Sequence, residues 1–500
     1  MLTTTSPTNT QLASSQLYID GRLQPASGGR TYPIHNPARP REVVGHAALA
    51  SREDVDRAYS AAQKAFPAWS ALSYAQRAAY LMAIAQRLTA DADDLARRTR
   101  LFTREHGKIL KEAGMEMSRL GARFTQVADY AGRLTQDERL PGPPFDTIVT
   151  RKPRGVSLLI VPWNWPLSIL GAKLPQALMA GSTVVVKLPE LATIAPAQTI
   201  ALMAQMLPPG VLNLVTGDAA EIGDALLTHP LASTINFTGS IRVGKHVMKM
   251  AADKLTPVTL ELGGNDAALV LHDAKLDADA LNRMYLGAFM TTGQICMAIK
   301  RLYVHRSRYE EVVQGLSAIA DRQVIGDGLL PETTMGPLNN ARQLKWVSEL
   351  VAQARKQGAH VEQFGHVPDE ALFREGHFHR PTLVFDATAS LDVVREEQFG
   401  PVLPITAFDT EEHALQLAND SKFGLCSSVW TEDPERAMHV ARRLEAGYTY
   451  VNGHGPAAQD NRAPFGGFKD SGIGRNLGYE GVQGFLGCQS ISAPAGWLKP

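Results

Sequence analysis

The residue best suited to covalent chemistry in this sequence is Cys296, which ends the segment Gly293-Gln294-Ile295-Cys296. It follows the end of a predicted helix and a glycine, where a side chain can enter a cleft. Because a free thiol has a pKa of about 8.5, a nucleophile here needs positive dipoles or a base nearby to form its thiolate. A lone cysteine in an apolar setting is more often a small buried hydrophobe, so its role depends on what the fold places beside it.

Glu261 has the type and the place of a general base. It lies between Leu260 and Leu262 at the carboxyl end of a predicted strand, so its side chain points away from its apolar neighbours. Gly263 and Gly264 follow, and they let a ligand or another backbone approach closely. A base at this place is plausible chemistry, and the alternative is a solvent-facing glutamate on a strand.

Asn164 is a candidate donor to a developing negative charge. It stands in the segment Pro162-Trp163-Asn164-Trp165-Pro166, directly after a predicted strand. The two prolines stiffen a sharp turn from strand to helix. A neutral amide donor suits the stabilisation of an oxyanion, and the alternative is an ordinary asparagine in a turn.

The segment from Phe237 to His246 has the pattern of an anion-binding loop. Gly239 and Ser240 follow a predicted strand and open a helix, and helix N-termini of this kind receive phosphate groups. The segment also matches most of the phosphate-loop pattern G-x-x-x-x-G-K, but His246 stands where that motif needs Ser or Thr for magnesium. Nucleotide hydrolysis is therefore disfavoured, and a strict G-x-G-x-x-G dinucleotide fingerprint is absent here.

Lys187 and Glu190 come at the end of the second strand of the same predicted sheet. A carboxylate in this place can accept hydrogen bonds from ribose hydroxyls. It would also repel a 2′-phosphate, which favours NAD over NADP. The alternative is a lysine and a glutamate in a surface loop.

A metal site is the weakest candidate. His377 and His379 share one face of a possible strand. The spacing offers no third ligand, so we interpret the pair as part of an exposed strand and predict no metal.

Composition sets the frame for these residues. A chain of 500 residues exceeds the usual size of one core, so two or three domains are expected. Lys+Arg and Asp+Glu are equal at 50 each, and this zero net charge gives no sign of a nucleic-acid partner. The 3 cysteines, Cys296, Cys426 and Cys488, fit no disulfide framework and suggest a reducing compartment such as the cytoplasm.

Two segments could be mistaken for targeting or membrane signals. Residues 1–16 are rich in Thr and Ser without a basic or apolar region, so we expect a disordered tail and no secretory signal. The most apolar stretch, Val156 to Val186, contains three prolines and Lys173, which argues against a membrane span.

The elements that must position these residues alternate along the chain. The stretch from Arg52 to about Arg133 is predicted to be helical, and a loop at 141–144 leads into a strand at Thr147 to Arg151. Strands are then predicted at 155–161, 182–187, 211–215, 233–237 and 258–262, with helices at 168–179, 196–207, 219–227 and 240–252 between them. A second alternation runs from Ala267 to about Val451, with strands at 268–271 and 301–304 around a helix at 276–291. Two successive units of this kind predict parallel sheets covered on both faces, with a cleft between them.

Five motifs together resemble the aldehyde dehydrogenase superfamily, in particular its NAD-dependent, hydrolytic, bacterial-type members. They are P-W-N-W-P at 162–166, L-E-L-G-G at 260–264, G-Q-I-C at 293–296, E-Q-F-G-P at 397–401 and P-F-G-G-F-K-D-S-G-I-G-R at 464–475. They occur in the family's order, and the resemblance runs from about Leu17 to Gly487.

The resemblance implies an α/β fold in three parts. A Rossmann-like NAD-binding domain would comprise residues 17–134 and 152–262, and a second α/β catalytic domain residues 263–470. A small β oligomerisation arm would comprise residues 135–151 and 483–500. Pairing of strands between subunits would then give a homodimer or a homotetramer.

The resemblance also implies the oxidation of an aldehyde to a carboxylic acid with NAD, through a thiohemiacetal and a thioester on Cys296. Glu261 would be the general base, Asn164 and the Cys296 N–H the oxyanion hole, and Lys173 a neighbouring charge. The implied cofactor-binding residues are Pro162, Trp163, Lys187, Glu190, Gly217, Phe237, Thr238, Gly239, Ser240, Gly244, Leu262, Glu397 and Phe399. The implied substrate-binding residues are Trp165, Ile169, Ile295, Met297, His454 and Phe465.

Two departures from the family pattern concern the site. Asn265 replaces the lysine often found after the twin glycines, and Asn476 replaces a glutamate proposed to relay protons in many relatives. Asparagine accepts no proton at neutral pH, so the relay route is open to question. Small residues at Gly453, Gly455 and Ala457 suggest a roomy, mostly apolar mouth for an aliphatic or aromatic aldehyde.

Two other functions stay open at this point. An acyltransferring relative would pass the acyl group to coenzyme A, but the retention of Glu261 argues against it. A non-catalytic protein on the same scaffold is the other alternative, and the intact Cys296, Glu261 and Asn164 argue against that.

Overall fold

The computed structural model describes residues 12–498. The chain begins with five strands: β1 (Ala13–Ser15), β2 (Leu17–Ile19), β3 (Arg22–Gln24), β4 (Thr31–Asn36) and β5 (Arg39–Ala48). β1 runs parallel to β5, with Ala13 opposite Gly45. A Cβ on residue 45 would lie 2.1 Å from the Ala13 carbonyl oxygen, so the glycine permits this pairing. The predicted disordered tail at 1–16 is thus wrong for residues 13–15, and residues 1–11 lie outside the described part.

A helical layer follows, as predicted for 52–133. Its members are α1 (Arg52–Ser70), α2 (Tyr74–Thr89), α3 (Ala92–His106), α4 (Leu110–Ala128) and α5 (Ala131–Leu134). Ser51 and Ser73 close capping boxes at the starts of α1 and α2, and the Asp91 side chain caps α3. Gly107, at φ 97°, ends α3 in the left-handed conformation that favours glycine.

The next elements begin with two strands of a small separate sheet and then supply most of the first large sheet. They are β6 (Glu138–Leu140), β7 (Phe145–Pro153), β8 (Val156–Ile160), α6 (Pro166–Gly171), α7 (Leu174–Ala180), β9 (Thr183–Lys187), α8 (Ile194–Ala204), β10 (Leu212–Val215), α9 (Ala219–Thr228), β11 (Ala232–Thr238), α10 (Ile241–Ala252) and β12 (Val258–Glu261). Strands β12, β11, β8, β9 and β10 pair in that order, all parallel, and β2 and β3 extend the β10 edge antiparallel. The order reverses between β8 and β11, and ligands of open α/β sheets bind at such a switch point.

Both faces of this sheet are buried. In β9, Val184 and Val186 pack into the core beneath α2, α4 and α8, while Val185 packs into the opposite core. Continuous valines therefore form the strand because each alternate side chain finds an apolar layer.

The helix predicted at 168–179 is wrong as a single element, because it is divided between α6 and α7. The chain breaks at Ala172 and Lys173, and Pro175 lies in the first turn of α7. Proline lacks the N–H that would continue the α6 hydrogen-bond ladder, whereas the first turn of a new helix tolerates it. The break places Lys173 at the start of α7 and not on a helix face.

The remaining elements supply the second large sheet, and the last two strands of the chain join other sheets. They are β13 (Asp266–Val270), α11 (Ala278–Phe289), β14 (Ile299–His305), α12 (Tyr309–Asp321), α13 (Ala341–Lys356), β15 (His360–Gln363), α14 (Glu370–Glu375), β16 (Thr382–Phe385), α15 (Asp392–Arg395), β17 (Val402–Phe408), α16 (Glu411–Asn419), β18 (Cys426–Trp430), α17 (Pro434–Ala441), β19 (Tyr448–Val451), β20 (Gly472–Ile473), α18 (Gly478–Gln483) and β21 (Leu486–Pro494). The order is β15, β16, β17, β14, β13, β18, β19, and only β15 is antiparallel to its neighbour. The predicted fold class, two α/β sheets in one chain, is confirmed.

Two further strand pairings involve the carboxyl-terminal part of the chain. β20 pairs with β12, with Gly472 opposite Glu261, so the segment 464–475 reaches the carboxyl end of the first sheet. β6, β7 and β21 form a separate antiparallel sheet, in which β7 pairs with β21 over nine residues. Within residues 12–498, no helix has the length and apolar character needed to cross a membrane.

Candidate active site

Cys296 is delivered by a tight turn that precedes β14. Thr291, Thr292 and Gly293 have φ values of 52°, 56° and 72°, a run in the left-handed region that is costly for non-glycine residues and is usually found at functional sites. A Cβ on residue 293 would lie 2.2 Å from the Gly400 carbonyl oxygen, so this close approach requires glycine. The flanking residues are buried while Cys296 itself stays partly exposed, so its thiol is accessible at the end of the turn.

Asn164 lies in the loop after β8 and faces that turn. Its Nδ2 donates to the Gln294 carbonyl oxygen at 2.9 Å, two residues before the thiol. The amide carries two N–H bonds, so a second donor stays available for an oxyanion. The predicted meeting of Asn164 with the Cys296 loop is present in the structure.

A buried ion pair between Lys108 and Glu116 forms hydrogen bonds to the loop that carries Asn164. Lys108 Nζ lies 2.5 Å from Glu116 Oε2 and also donates to the Asn164 carbonyl oxygen at 3.0 Å. Glu116 Oε1 accepts from the backbone N–H groups of Leu167 and Ser168 at 2.8 and 3.0 Å. Both charged side chains are 0% exposed. Because each polar atom has a partner, the network fixes the middle of the Pro162–Pro166 turn and the start of the helix that follows it.

His106 adds a second donor to the same carbonyl. Its Nε2 lies 2.8 Å from the Asn164 oxygen, while its Nδ1 accepts from the Lys108 N–H at 3.2 Å. This assigns the neutral tautomer with the proton on Nε2. Burial holds the pKa of His106 well below its ordinary value, which agrees with a neutral ring.

Glu261 and Lys173 form the charged pair of the site. Glu261 ends β12, is 4% exposed, and neither of its carboxylate oxygens has a hydrogen-bond partner among the described residues. Burial raises the pKa of Glu261, and the charge of Lys173 opposes that shift. Burial lowers the pKa of Lys173, and Glu261 and Cys296 oppose it. The three groups therefore sense one another's charge, as a nucleophile and its base must.

Lys173 is held by an amide chain that the sequence did not reveal. Its Nζ donates to Asn236 Oδ1, and Asn236 Nδ2 donates to Asn476 Oδ1 at 2.7 Å. Asn476 lies close enough to Glu261 to lower the pKa of that carboxyl, although no hydrogen bond joins the two side chains in the described residues. The place of the family's relay glutamate is thus filled by an amide chain that joins Lys173 to the surroundings of Glu261.

The Cys296 thiol is protonated in this environment. Burial raises its pKa to about 12, while the nearby ammonium of Lys300 opposes that shift. A group with so high a pKa is almost entirely in the thiol form at neutral pH, so a base must take its proton for the sulfur to act as a nucleophile.

Some of the predicted cofactor residues lie along the carboxyl ends of β9 to β11 and form one half of the candidate cofactor site. Lys187 Nζ bonds Glu190 Oε1 at 2.6 Å, and the same oxygen accepts from the Ala219 N–H at 2.8 Å. Gly239 and Ser240 stand at the start of α10, with the Ser240 hydroxyl capping the helix. These groups fit a dinucleotide, because the carboxylate can bond ribose hydroxyls and the helix N-terminus can receive phosphate.

Several predicted cofactor residues serve the packing of this half. A Cβ on Gly244 would lie 2.4 Å from Leu262, so glycine brings α10 against the end of β12. A Cβ on Gly239 would meet the Phe237 ring at 2.4 Å. Gly217, at φ 146°, follows β10 and lies against the backbone of residue 50. Pro162 and Thr238 end the neighbouring strands β8 and β11.

The predicted cofactor residues Glu397, Phe399 and Trp163 form the other half of the candidate cofactor site. Glu397 Oε1 accepts from the Gly264 N–H at 3.1 Å, and the Phe399 ring stands edge-on to the Trp163 ring at 5.6 Å. A Cβ on Gly263 would lie 2.2 Å from Glu397 Oε2, so the twin glycines admit this carboxylate. A partly buried carboxylate beside two aromatic rings offers the hydrogen-bond acceptor and the apolar surfaces that a ribose and a nicotinamide need.

An apolar cluster surrounds the thiol. Five of the six predicted substrate residues belong to it, namely Trp165, Ile169, Ile295, Met297 and Phe465, together with Met115, Met290, Leu425, Cys426, Tyr448, Tyr450 and Leu477. The predicted residue His454 lies at the edge of this cluster, with its ring 5.2 Å from the Tyr450 ring. Its Nδ1 lies 2.9 Å from Ser428 Oγ and its Nε2 lies 3.5 Å from Asp266 Oδ2. Its side chain is fully buried in that polar contact.

The phosphate-loop pattern and the histidine pair, which the sequence disfavoured as functional sites, are ordinary parts of the structure. Lys245 pairs with Asp470 at 3.0 Å on the surface. His377 and His379 precede β16 and lie in irregular backbone, so the strand predicted for them is wrong. Among residues 12–498, no group of three His, Cys, Asp or Glu side chains could hold a metal ion.

Comparison with known proteins gives a consistent result. A model of the aldehyde dehydrogenase family matches residues 24–491. Aminoaldehyde dehydrogenase 1, peroxisomal, of Pisum sativum is 36% identical over 504 residues, covering 98% of this chain and 98% of its own. The chloroplastic betaine aldehyde dehydrogenase of Beta vulgaris is 36% identical over 503 residues, covering 98% and 99%. A crystal structure of betaine aldehyde dehydrogenase from Staphylococcus aureus in complex with NAD+ matches with a TM-score of 0.90 and 32% identity, over 97% of this chain and 95% of that one.

Proposed function

The chain belongs to the aldehyde dehydrogenase family, and we propose that it uses Cys296 to oxidise an apolar aldehyde to the carboxylic acid with NAD. NAD-dependent aldehyde oxidation is its reaction class. The observation that supports Cys296 is its partly exposed thiol at the end of a strained turn, with the Asn164 amide bonded to the same turn.

Acylation begins with transfer of the thiol proton to Glu261, directly or through a water. The sulfur attacks the aldehyde carbon, and the carbonyl oxygen becomes a thiohemiacetal alkoxide. Asn164 Nδ2 and the Cys296 N–H donate to that oxygen, and one such donor lowers the barrier by about 2.7–4 kcal/mol in acyl-transfer sites. NAD, when bound, supplies the two-electron acceptor for this oxidation. Cys296 is left as a thioester.

Deacylation needs a base that is free again. Glu261 has no hydrogen-bond partner on either oxygen, so it can take a proton from a water that attacks the thioester carbon. The acid leaves and the thiolate regains a proton. Asn476 cannot carry the proton onward, whereas Lys173, whose pKa burial lowers, can accept one near neutral pH.

The charge at Glu190 supports a preference for NAD over NADP. Its carboxylate is 41% exposed, accepts from Lys187 and Ala219, and can still accept from a ribose hydroxyl. A 2′-phosphate there would meet the like charge. The ratio of kcat/KM for the two cofactors measures this preference, and a ratio near one would contradict it.

The test of the nucleophile uses two cysteine variants. Cys296→Ala should abolish aldehyde-dependent NADH formation, while Cys488→Ala, on the exposed strand β21, should retain it. Glu261→Gln loses the base of both half-reactions, so it should form the thioester slowly and hydrolyse it more slowly still, and intact-protein mass spectrometry should find the acyl adduct accumulating on residue 296. Parental turnover by Cys296→Ala would exclude this mechanism.

The chemistry of the apolar cluster supports an aliphatic or aromatic aldehyde. The cluster around Cys296 contains methionine, isoleucine and aromatic side chains, which suit an apolar group on the aldehyde. The relatives named for aminoaldehydes and betaine aldehyde raise a cationic substrate as the alternative. Aromatic faces do bind ammonium groups, but the Trp165 ring already holds the Lys108 ammonium at 4.2 Å, which would repel a second cation.

A substrate panel decides between these classes. Hexanal and benzaldehyde should exceed 3-aminopropanal and betaine aldehyde in kcat/KM, because only the neutral substrates avoid the repulsion by Lys108. The reverse order would contradict the apolar assignment. NADH formation with no added thiol acceptor would separate hydrolysis from transfer to coenzyme A.

Assembly and location are part of the proposal. The sheet β6, β7 and β21 exposes Leu140, Phe145 and Ile491, which supports contact with a second copy in a homodimer or a homotetramer. Light scattering of the purified protein measures this, and a monomer would contradict it. Three free cysteines support a reducing compartment, the cytoplasm.

A further inference from the structure

Lys300 is a buried cation beside the nucleophile to which the mechanism above gives no role. Its Nζ donates to the carbonyl oxygens of Ile295 and Cys296 at 2.8 and 2.7 Å. It also lies 3.5 Å from Glu397 Oε1, and its side chain is 3% exposed. A charge this deeply buried persists only with close partners, and these partners are the backbone of the nucleophile and a carboxylate of the cofactor half-site.

The position of Lys300 in the fold makes this contact rigid. It is the second residue of β14, at the carboxyl side of the turn that carries Cys296. Its own carbonyl oxygen accepts from Gln398 Nε2 at 3.2 Å, so its backbone is joined to the segment that carries Glu397. On the neighbouring strand, Asn265 is uncharged and donates to the Val394 carbonyl oxygen at 2.8 Å. Lys300 is therefore the ammonium that faces Glu397 here.

The charges at this point act on the thiol in opposite directions. Burial raises the pKa of Cys296, the Lys300 ammonium lowers it, and the Glu397 carboxylate raises it. Burial likewise raises the pKa of Glu397, and Lys300 is the leading group that opposes the shift. A change in the charge of Lys300 or of Glu397 must therefore alter the pKa of the Cys296 thiol.

We propose that Lys300 is a positioning residue that holds the Cys296 turn and the Glu397 carboxylate together and so sets the reactivity of the nucleophile. This inference rests on the proposed function, since it takes Cys296 as the nucleophile and Glu397 as a cofactor contact. A lysine that only filled space would not link these two segments by charge.

The test measures alkylation of the cofactor-free enzyme by iodoacetamide as a function of pH, with the modified residue located by mass spectrometry. Lys300→Met should move the alkylation profile to higher pH by about one unit, or about tenfold in rate at a fixed pH below the profile midpoint. Lys300→Arg keeps the charge and should restore most of the rate. Glu397→Gln removes the opposing charge and should speed alkylation.

Lys300→Met and Glu397→Gln are expected to change the alkylation rate in opposite directions, and this distinguishes a positioning role of Lys300 from a purely structural one. If Lys300 only supported the fold, Lys300→Met and Glu397→Gln would change the alkylation rate in the same direction or would both leave it unchanged. In that case Lys300→Arg would not restore the rate. Lys422→Met is the matched control, because Lys422 pairs with the adjacent Glu396 at 3.0 Å on the surface and should leave the profile unchanged. Titration of NAD by tryptophan fluorescence should show several-fold weaker binding to Lys300→Met than to Lys300→Arg.

Failure of this inference is distinguishable from failure of the proposed function. If residue 296 is alkylated at the same pH in all variants, Lys300 has no effect on the thiol and the inference is overturned while the nucleophile stands. If alkylation is found at Cys426 or Cys488 instead of Cys296, the proposed function fails first.

Discussion

Removing one charge of the Lys108–Glu116 pair should cost more than removing both. In Glu116→Gln the amide oxygen can still accept from the Leu167 and Ser168 N–H groups, but the Lys108 ammonium loses its carboxylate. In Lys108→Met the Glu116 carboxylate loses its cation. In the double variant no charge is buried, and the two backbone N–H groups keep their acceptor.

The magnitude follows from the cost of neutralising a stranded charge. At pH 7.5 an unpaired Lys108 must lose its proton three pH units below its ordinary pKa of 10.5, which costs about 4 kcal/mol at about 1.36 kcal/mol per unit. The same reasoning applies to a stranded Glu116 carboxylate, and breaking buried pairs costs about 3–5 kcal/mol in general. The double variant loses the hydrogen bond to the Asn164 carbonyl and the contact with the Trp165 ring, together about 2 kcal/mol.

The assay is a double-mutant cycle of urea unfolding at pH 7.5, with free energies taken from the midpoint shifts. We expect each single variant to be less stable than the double variant. The control cycle uses Arg443 and Glu412, which pair at 2.6 Å with 41% and 61% of their side chains exposed and should contribute less than about 1 kcal/mol. A double variant less stable than both single variants would refute this account of the pair.

Three further predictions concern the chemistry and the turn. Because burial raises the pKa of Glu261 to about 8 and a base acts only when ionised, kcat should rise as pH increases through 8 and level off above it; a flat profile would contradict this role. Asn164→Ala should lower kcat by about 10²–10³-fold while Cys296 is still alkylated at the parental rate, and equal loss of both would show a collapsed turn instead. Gly293→Ala places a Cβ 2.2 Å from the Gly400 oxygen at a φ of 72°, so both alkylation and the melting temperature should fall, and a fully active variant would falsify the steric argument.

The alternation of strands and helices was predictable because parallel strands buried on both faces must be apolar over their whole length. The valines of β9 and the run Ala267 to Leu271 have this pattern, and each alternate residue packs into a different core. Asn164 and Gly239 lie in the loops after β8 and β11, and Glu261 ends β12; these three strands are neighbours in one sheet. Their meeting follows from topology, since the carboxyl ends of parallel strands share one edge.

The buried ion pairs around the site could not be predicted from the sequence in the same way. Lys108 follows α3 and Glu116 lies on α4, where a charged residue usually indicates a solvated face, and nothing in the local pattern shows that both side chains are 0% exposed. Lys300 is the second residue of a strand that begins at Ile299. Its carboxylate partner, Glu397, is almost one hundred residues away in the chain, so the local sequence does not show that the two side chains meet. Only the break at Lys173 had a local signal, because Pro175 marks the first turn of a new helix.

Three buried lysines lie in and around the active site, and each is matched to a different carboxylate. Lys108 with Glu116 fixes the loop of the oxyanion donor, Lys173 faces Glu261, and Lys300 faces Glu397. Because each pair is close to neutral as a unit, the site can hold these charges in a buried place at tolerable cost. A change that strands one partner therefore alters one catalytic property at a time: oxyanion geometry, base strength or thiol reactivity. The arrangement explains how a thiol whose pKa burial raises to about 12 can be reactive only when its surroundings are intact.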